Sequence, residues 1–263
     1  MEFHPLPSIY DLKPKFQNLL RPILRLLHRW GVSPNAITLA ALALSFATGV
    51  ALGFSREPGR RALLLVVPAA LFVRMALNAL DGMMARDFKL YSNVGKILNE
   101  FGDVIADSAI YFPLIFTIDP VQAGSLLLAD AARYSMLGFV GLAILSEFAG
   151  ILAVDLCGKR LYQGPGGKSD RAFLIGLYTL VLFFWPGLNR WALYYFGVLD
   201  LLVVLSIGNR LSAALKLAAA PAAAPHSNTP STPTAAATAG PADSAASSAA
   251  GSAMGGAAET AHE

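Results

Sequence analysis

The chain has 263 residues, of which 55% are hydrophobic and 14% charged, and its mean hydropathy is +0.54. A soluble domain carries about 25% charged residues, so this composition excludes an ordinary soluble domain and predicts an integral membrane protein. The one cysteine, Cys157, excludes an intramolecular disulfide framework; the net charge is +3, and no nucleic-acid partner is expected.

Residues 1–33 are predicted to be an N-terminal amphipathic segment with a helix over about 11–29, and no cleavable signal peptide is expected. Apolar and basic residues recur there at helical spacing: Lys15, Leu19, Leu20, Arg21, Ile23, Arg25, Leu26, Leu27 and Arg29. This pattern is typical of an interfacial helix on an anionic membrane surface. A helix packed only against the rest of the protein is the alternative.

Residues 34–217 are predicted to form an all-α domain of six transmembrane helices, most of them long enough for the ~20 residues that cross a bilayer. The spans are 34–54, 61–86, 94–118, 132–157, 171–188 and 190–216. Ser33 and Pro34 supply an N-cap and a first-turn proline for the first span. The fifth span is the shortest and ends near Pro186, because proline cannot continue the helical hydrogen-bond ladder.

The distribution of lysine and arginine predicts the orientation of the chain. If the N-terminus is cytoplasmic, fourteen of these residues lie inside and five outside. The inner residues are Lys13, Lys15, Arg21, Arg25, Arg29, Arg86, Lys89, Lys96, Lys159, Arg160, Lys168, Arg171, Arg210 and Lys216. The outer residues are Arg56, Arg60, Arg61, Arg133 and Arg190. We therefore expect both termini to be cytoplasmic, although three outer arginines near residue 60 oppose the rule.

Residues 218–263 consist almost wholly of Ala, Pro, Ser, Thr and Gly. A segment of this composition cannot bury enough apolar surface to offset the entropy lost when it is ordered. We predict a disordered cytoplasmic tail without a catalytic role.

Polar residues interrupt the second and third predicted spans. They are Asn78, Asp81, Asn99, Glu100, Asp103 and Asp107. A carboxylate at the centre of a membrane helix costs roughly 2.5–3.5 kcal/mol, so several together indicate a polar cavity, a metal or close cationic partners. At helical spacing, Asn99, Asp103 and Asp107 share an arc of about 80°. Oxygen ligands that converge from two helices suit Mg²⁺ or Mn²⁺.

Small residues accompany these polar groups. Gly82 and Ala85 leave one helix face nearly bare, so a flat ligand could lie against the backbone there. Close packing against a neighbouring helix is the alternative reason for small residues in a membrane helix.

The spacing of these residues resembles the signature of the CDP-alcohol phosphotransferases, D-x2-D-G-x2-A-R-x8-G-x3-D-x3-D. This chain reads Asn78-x2-Asp81-Gly82-x2-Ala85-Arg86-x8-Gly95-x3-Asn99-x3-Asp103. All eight positions match in spacing and six match in identity. The resemblance covers about residues 1–216, includes the six-span layout and the N-terminal helix, and is greatest to a bacterial inner-membrane branch of the family.

The resemblance implies a transferase of phospholipid biosynthesis, in which an alcohol displaces CMP from CDP-diacylglycerol or a similar CDP-alcohol. It implies one or two Mg²⁺ or Mn²⁺ ions, a small or lipid alcohol as acceptor, and contact with membrane lipids; a homodimer is one option, because family members often form dimers. The implied roles are general base for Asp103, metal ligand for Asn78, Asp81, Asn99, Asp103 and Asp107, and nucleotide binding for Gly82, Ala85, Arg86 and Gly95.

Two asparagines, Asn78 and Asn99, stand where the signature has aspartates. An amide oxygen can ligate a cation but brings no charge, so two divalent ions should bind more weakly. One ion held by Asp81 with both amides is one interpretation. Restoration of the charge by Asp107, or less favourably by Glu100, is a second. A non-catalytic CDP-lipid-binding or scaffold relative is a third, and a transporter is a weaker option.

Arg74 and Glu147 lie in the interior of the second and fourth predicted spans. A buried arginine needs a partner, and we predict an ion pair with Asp107, which lies at matching depth in the third span. A phosphate of the donor lipid is the alternative partner. Glu147 is expected either to face the cavity, near the acceptor or Arg74, or to form a helix-packing hydrogen bond.

A glycine-rich loop leads into the fifth span. Glycines, a lysine and an arginine at a helix start are typical of an anion site, so we predict that Lys168 and Arg171, with Arg210 from the sixth span, bind a phosphate of the acceptor. Topological positive charge accounts for these residues equally well. Asn35 and Thr38 would contact the nucleotide, although helix capping is the simpler explanation of their positions.

Overall fold

A computed structural model of the chain describes residues 9–158, 161 and 164–219. Within these residues the ordered elements are all helical: α1 (Ile9–Arg29), α2 (Pro34–Gly53), α3 (Val66–Asp87), α4 (Asn93–Tyr111), α5 (Pro120–Ala123), α6 (Leu126–Cys157), α7 (Lys168–Phe184) and α8 (Ala192–Ala219). Three 3-10 segments adjoin α3, α4 and α8: Arg61–Leu65, Phe112–Thr117 and Pro186–Trp191. Apart from its first two residues, the predicted C-terminal tail lies outside the described residues.

The all-helical prediction is confirmed, and several boundaries differ. α6 begins at Leu126 rather than at 132, because the Ser125 hydroxyl accepts a hydrogen bond from the Leu128 amide at 3.1 Å and caps the helix there. α7 ends at Phe184 rather than near 188, since Pro186 starts a 3-10 segment that leads into α8.

Four helical segments among the described residues are long and apolar enough to cross a membrane. They are Pro34–Gly53, Arg61–Asp87, Leu126–Cys157 and Pro186–Ala219. The other two predicted spans differ in character: α7 has only 17 residues, and α4 carries the charged groups of Lys96, Glu100, Asp103 and Asp107. The part of the chain that the structure describes therefore has four candidate membrane spans, by length and hydropathy.

The helices pack in two main groups. α2 contacts α3 and α4, whereas α6 runs along α8, and α7 joins the groups by packing on α3. Aromatic rings fill the larger core: the Phe196 ring contacts Phe139 at 5.9 Å and Tyr178 at 5.0 Å between centroids. Edge-to-face pairs of this kind add to the packing of the buried rings. This arrangement brings the polar ends of α3, α4, α6 and α7 together.

α1 packs on the bundle and also leaves apolar side chains uncovered. Leu20 and Leu24 are buried against Met83 and Met84 of α3. On the other side, Leu19 is 72% exposed, and Ile23 and Leu26 are exposed as well. A helix packed only against the protein would not need these exposed apolar residues.

Gly49 in α2 allows close approach to α4, which leads to a first prediction. A Cβ at this position would overlap the Ala109 carbonyl oxygen and lie 3.1 Å from its carbonyl carbon. Gly49→Ala should push the helices apart and lower the free energy of unfolding by about 1–3 kcal/mol, measured by thermal denaturation in detergent. The matched control is Gly53→Ala in the same helix, where no described atom would lie within 4 Å of the new Cβ. Equal midpoints for the two variants would contradict the close α2–α4 contact.

Candidate functional site

Acidic and amide side chains from α3 and α4 meet on one side of the helix pair. The Asn78 amide nitrogen donates a hydrogen bond to Asp103 Oδ1 at 3.1 Å. One turn along α3, Asp81 Oδ2 accepts a hydrogen bond from Thr38 Oγ1 at 3.0 Å. The Thr38 methyl would lie 3.6 Å from a Cβ at Gly102, the neighbour of Asp103. Asp81 and Asp103 therefore lie on the same side of the α3–α4 pair, where helix periodicity predicts them.

Two cations contact Asp103. The ammonium of Lys168, the first residue of α7, forms an ion pair with Asp103 Oδ2. Arg74 Nη2 lies 3.5 Å from Asp103 Oδ1 and donates a hydrogen bond to the Asp103 backbone oxygen at 3.2 Å. The Asp103 carboxylate is 20% exposed, so it remains accessible from the site although both of its oxygens have partners.

Behind Asp103 lies a buried ionic network of four residues. Arg74 Nη1 donates to Asp107 Oδ1 at 2.5 Å, which confirms the predicted Arg74–Asp107 pair. Arg171 Nη2 lies 3.3 Å from Asp107 Oδ2 and 2.7 Å from Glu147 Oε1. Each of these described residues contacts at least one group of opposite charge, which makes their burial in a membrane protein tolerable. Glu147 thus accepts a hydrogen bond from Arg171 of the neighbouring helix α7, which agrees with the predicted helix-packing hydrogen bond and not with the predicted contact to Arg74.

The three cations predicted to bind an acceptor phosphate have different surroundings. Lys168 is 31% exposed and reaches Asp103, whereas Arg171 and Arg210 are buried. Arg210 Nη1 donates to the Ser146 backbone oxygen at 2.9 Å and to Ser146 Oγ at 3.0 Å. Ser146 was not predicted from the sequence as a site residue, although a serine next to Glu147 in an apolar helix indicates a polar contact.

The glycine-rich loop before α7 fixes the position of Lys168. Gly164 and Gly166 have positive φ angles of 115° and 93°, and a Cβ at Gly166 would meet the Leu202 backbone of α8 at 3.2 Å. The Asp170 carboxylate accepts hydrogen bonds from the amides of Gly166 and Gly167 at 3.2 and 3.0 Å. The loop is therefore anchored to α8 and to the first turn of α7.

The signature glycines have two different surroundings. Around Gly82, no described atom outside its local helix backbone would lie within 4 Å of a Cβ, so this face of α3 is open. Close helix packing, the alternative explanation for a small residue there, does not apply among the described residues. At Gly95 a Cβ would lie 2.8 Å from Asn35 Oδ1 and 2.9 Å from Ser92 Oγ. A side chain at position 95 would therefore require the Asn35 and Ser92 side chains to move.

The remaining predicted site residues lie near this open face. Arg86 is exposed at the end of α3, and its Nε donates to Asp87 Oδ1 at 3.1 Å. Ala85 is half-buried one turn after Asp81. Asn99 is half-buried one turn before Asp103 on α4. Their positions suit a ligand that extends from Gly82 toward the end of the helix pair.

The donor set is suited to a hard cation. Among the described residues, no group of three or more His, Cys, Asp or Glu side chains is placed to hold a metal ion. Two carboxylates, Asp81 and Asp103, and the amides of Asn78 and Asn99 are the available side chains. Carboxylate and amide oxygens suit Mg²⁺ or Mn²⁺, which commonly take further oxygens from substrate phosphates. The residues fit such an ion when a phosphate completes its coordination.

Apolar spans with carboxylates, amides and an ammonium gathered on one side define a membrane protein with an ionic site. The CDP-alcohol phosphatidyltransferase family profile matches residues 31–207, and the chain belongs to this family. It is 41% identical over 212 residues to the inner membrane protein YnbA of Escherichia coli (strain K12), covering 81% of this chain and 98% of that protein. The resemblance in the signature is thereby confirmed, and the chain is an integral membrane CDP-alcohol phosphotransferase.

Solved structures share the fold. The Mycobacterium tuberculosis phosphatidylinositol phosphate synthase with CDP-DAG bound has a TM-score of 0.59 and 21% identity, covering 73% of this chain and 92% of that one. The same synthase with manganese and citrate has a TM-score of 0.60 and 21% identity, covering 74% and 88%. At this level of identity, the likeness concerns the fold alone.

Proposed function

We propose that this chain transfers a phosphatidyl or similar substituted phosphate from a CDP-alcohol, such as CDP-diacylglycerol, to an acceptor alcohol and releases CMP. The observation that carries this proposal is the placement of Asp81 and Asp103 on one side of α3 and α4, beside the open face at Gly82. The CDP-DAG-bound synthase, which has the same fold, supports a donor of this kind.

In the proposed reaction the acceptor hydroxyl oxygen forms a bond to the phosphorus that carries the lipid alcohol. The bond from this phosphorus to the bridging oxygen breaks, and CMP leaves with the bonding electrons. Asp103 takes the hydroxyl proton as general base. A divalent ion on Asp81 and Asp103, with amide oxygens from Asn78 and Asn99, would neutralise charge on the leaving phosphate. Manganese in the synthase structure supports such an ion.

The nucleotide and acceptor assignments belong to the same proposal. Gly82 and Ala85 leave room for the cytidine nucleotide on α3, and the exposed Arg86 can turn from Asp87 toward a phosphate or a base edge. Nucleotide binding at Gly95 remains a prediction; a side chain there would require Asn35 and Ser92 to move. Acceptor binding by Lys168, Arg171 and Arg210 remains a prediction, and of the three Lys168 is the cation with access to Asp103.

Asp107 was predicted both as a metal ligand and as the partner of Arg74. Both of its carboxylate oxygens are held by arginines, Oδ1 by Arg74 and Oδ2 by Arg171. We therefore favour the structural role, in which Asp107 supports the turn of α4 that carries Asp103. This choice also removes Asp107 as a substitute for the missing aspartates of the signature.

We further propose that α4 and α7 complete a set of six spans, that α1 lies in the interface, and that both termini are cytoplasmic. Asp103 and Asp107 of α4, which would oppose insertion, are paired inside the bundle, and this supports the placement of α4 in the membrane. The exposed Leu19, Ile23 and Leu26 of α1 support the interfacial position. The excess of lysine and arginine on one side supports the orientation.

The proposed function predicts metal-dependent release of CMP. Purified full-length protein in detergent with CDP-diacylglycerol, Mg²⁺ or Mn²⁺ and a panel of alcohols should release CMP with at least one acceptor. A chelator should stop the release, and CMP is measured by chromatography. The panel should include glycerol phosphate, inositol phosphate, serine and a lipid alcohol. Nucleotide binding without CMP release under any of these conditions would instead favour a non-catalytic CDP-lipid-binding protein.

A further inference from the structure

Asp103 is paired with a cation that belongs to the protein itself. Its Oδ2 contacts the Lys168 ammonium, and its Oδ1 accepts a hydrogen bond from the Asn78 amide at 3.1 Å. Arg74 also contacts Asp103 but is only 4% exposed, against 31% for Lys168. Lys168 is thus the cation that can face both Asp103 and a bound ligand.

The fold holds Lys168 at this place. The loop before it packs on α8 through Gly166, and Asp170 binds the loop amides from the first turn of α7. Arg171 is committed to Asp107 and Glu147 in the buried network. These contacts fix the backbone from which the Lys168 side chain reaches Asp103.

The charges around Asp103 leave room for one divalent ion. With Asn78 and Asn99 neutral, the site offers the carboxylates of Asp81 and Asp103. A CDP-alcohol adds one negative charge on each of its two phosphates, which makes four in all. One divalent ion and Lys168 supply three positive charges against these four, and Lys168 already contacts Asp103 Oδ2. A second divalent ion at Asp103 would lie beside this ammonium in a poorly screened site, which is unfavourable.

We propose that Lys168 supplies the second cationic group of this site, so that the chain works with a single divalent ion. The ion binds on the Asp81 side, and the Lys168 ammonium contacts the diphosphate beside Asp103. This inference rests on the proposed function in one respect, because the diphosphate is that of a CDP-alcohol. A single ion also explains why positions 78 and 99 are asparagines, because carboxylates there would need a second ion to neutralise their charge.

The test is Mn²⁺ binding to the purified full chain with CDP-glycerol, a soluble CDP-alcohol, as the probe, followed by electron paramagnetic resonance of free Mn²⁺. The wild type should bind one Mn²⁺ per chain. Lys168→Met removes a positive charge next to the ion, so its Mn²⁺ dissociation constant should fall by about tenfold or more. Lys168→Arg keeps the charge and should stay close to the wild type. The matched control is Lys216→Met, in the exposed last turn of α8, which should leave Mn²⁺ binding unchanged.

Two bound Mn²⁺ ions in the wild type, or an unchanged dissociation constant in Lys168→Met, would overturn the inference. If Lys168→Met does not fold, Lys168→Gln carries the same expectation. The outcome is separate from the proposed function, because metal counting does not require turnover. One Mn²⁺ without any CMP release would contradict the transferase proposal and leave the role of Lys168 standing.

Discussion

Asp103→Asn should abolish CMP release, with kcat lowered by about 10²–10⁴-fold, the range that general-base catalysis contributes. The amide has nearly the same shape and can still accept a hydrogen bond from the Asn78 amide, but it cannot take a proton from the acceptor hydroxyl. The variant should therefore fold. CMP release at saturating CDP-diacylglycerol and acceptor measures the effect.

The control for this variant is Asp155→Asn, the same chemical change at an exposed position near the end of α6. It should retain wild-type kcat, because Asp155 lies outside the proposed site. Full activity in Asp103→Asn would remove Asp103 from the base role. An equal loss in both variants would point to a general effect of removing an acidic residue.

Asp107→Asn should lower the free energy of unfolding by about 3–5 kcal/mol, the cost of breaking a buried ion pair by removal of one partner. Arg74 then loses its carboxylate contact at 2.5 Å. Arg171 loses its contact with Asp107 and keeps the one with Glu147. Thermal or denaturant unfolding in detergent measures the effect. Glu57→Gln, which removes the exposed ion pair with Arg60, should cost no more than about 1 kcal/mol.

A double variant separates the unpaired charge from the loss of packing. Arg74→Met combined with Asp107→Leu removes one positive and one negative group, and Arg171 keeps Glu147. This variant should be more stable than Asp107→Asn, because it removes the buried Arg74 charge, which in Asp107→Asn keeps only the longer 3.5 Å contact with the Asp103 carboxylate among the described residues. If the double variant were the less stable of the two, packing rather than charge balance would account for the role of Asp107.

Interactions that follow from helix geometry could be predicted from the sequence. Arg74 and Asp107 lie at matching depths in neighbouring antiparallel spans, and a buried arginine needs a partner, so their pair could be predicted. The same periodicity put Asn78 and Asp81 on one side of α3, facing Asp103. These contacts depend on short-range spacing and on two adjacent helices, which a single sequence contains.

Contacts that depend on the path of a loop could not be predicted from the sequence. The pair between Lys168 and Asp103 depends on how the loop before α7 folds onto α8, and hydropathy carries no information on that path. Glu147 was predicted either to face the cavity or to form a helix-packing hydrogen bond, but its partner Arg171 could not be named, because the sequence does not show which side of α6 meets α7. The start of α6 was placed too late, since an apolar run beside Ser125 marks a membrane span but not where its cap lies.

The most direct test of the central claim is the coordination of Mn²⁺ in the CDP complex, measured by pulsed electron paramagnetic resonance. If α3 and α4 hold a cation that binds the diphosphate, the Mn²⁺ signal should show hyperfine coupling to phosphorus. That coupling should be lost in Asp81→Asn, because the ion then loses a carboxylate ligand. Mn²⁺ that binds without phosphorus coupling, or coupling that persists unchanged in Asp81→Asn, would contradict the account.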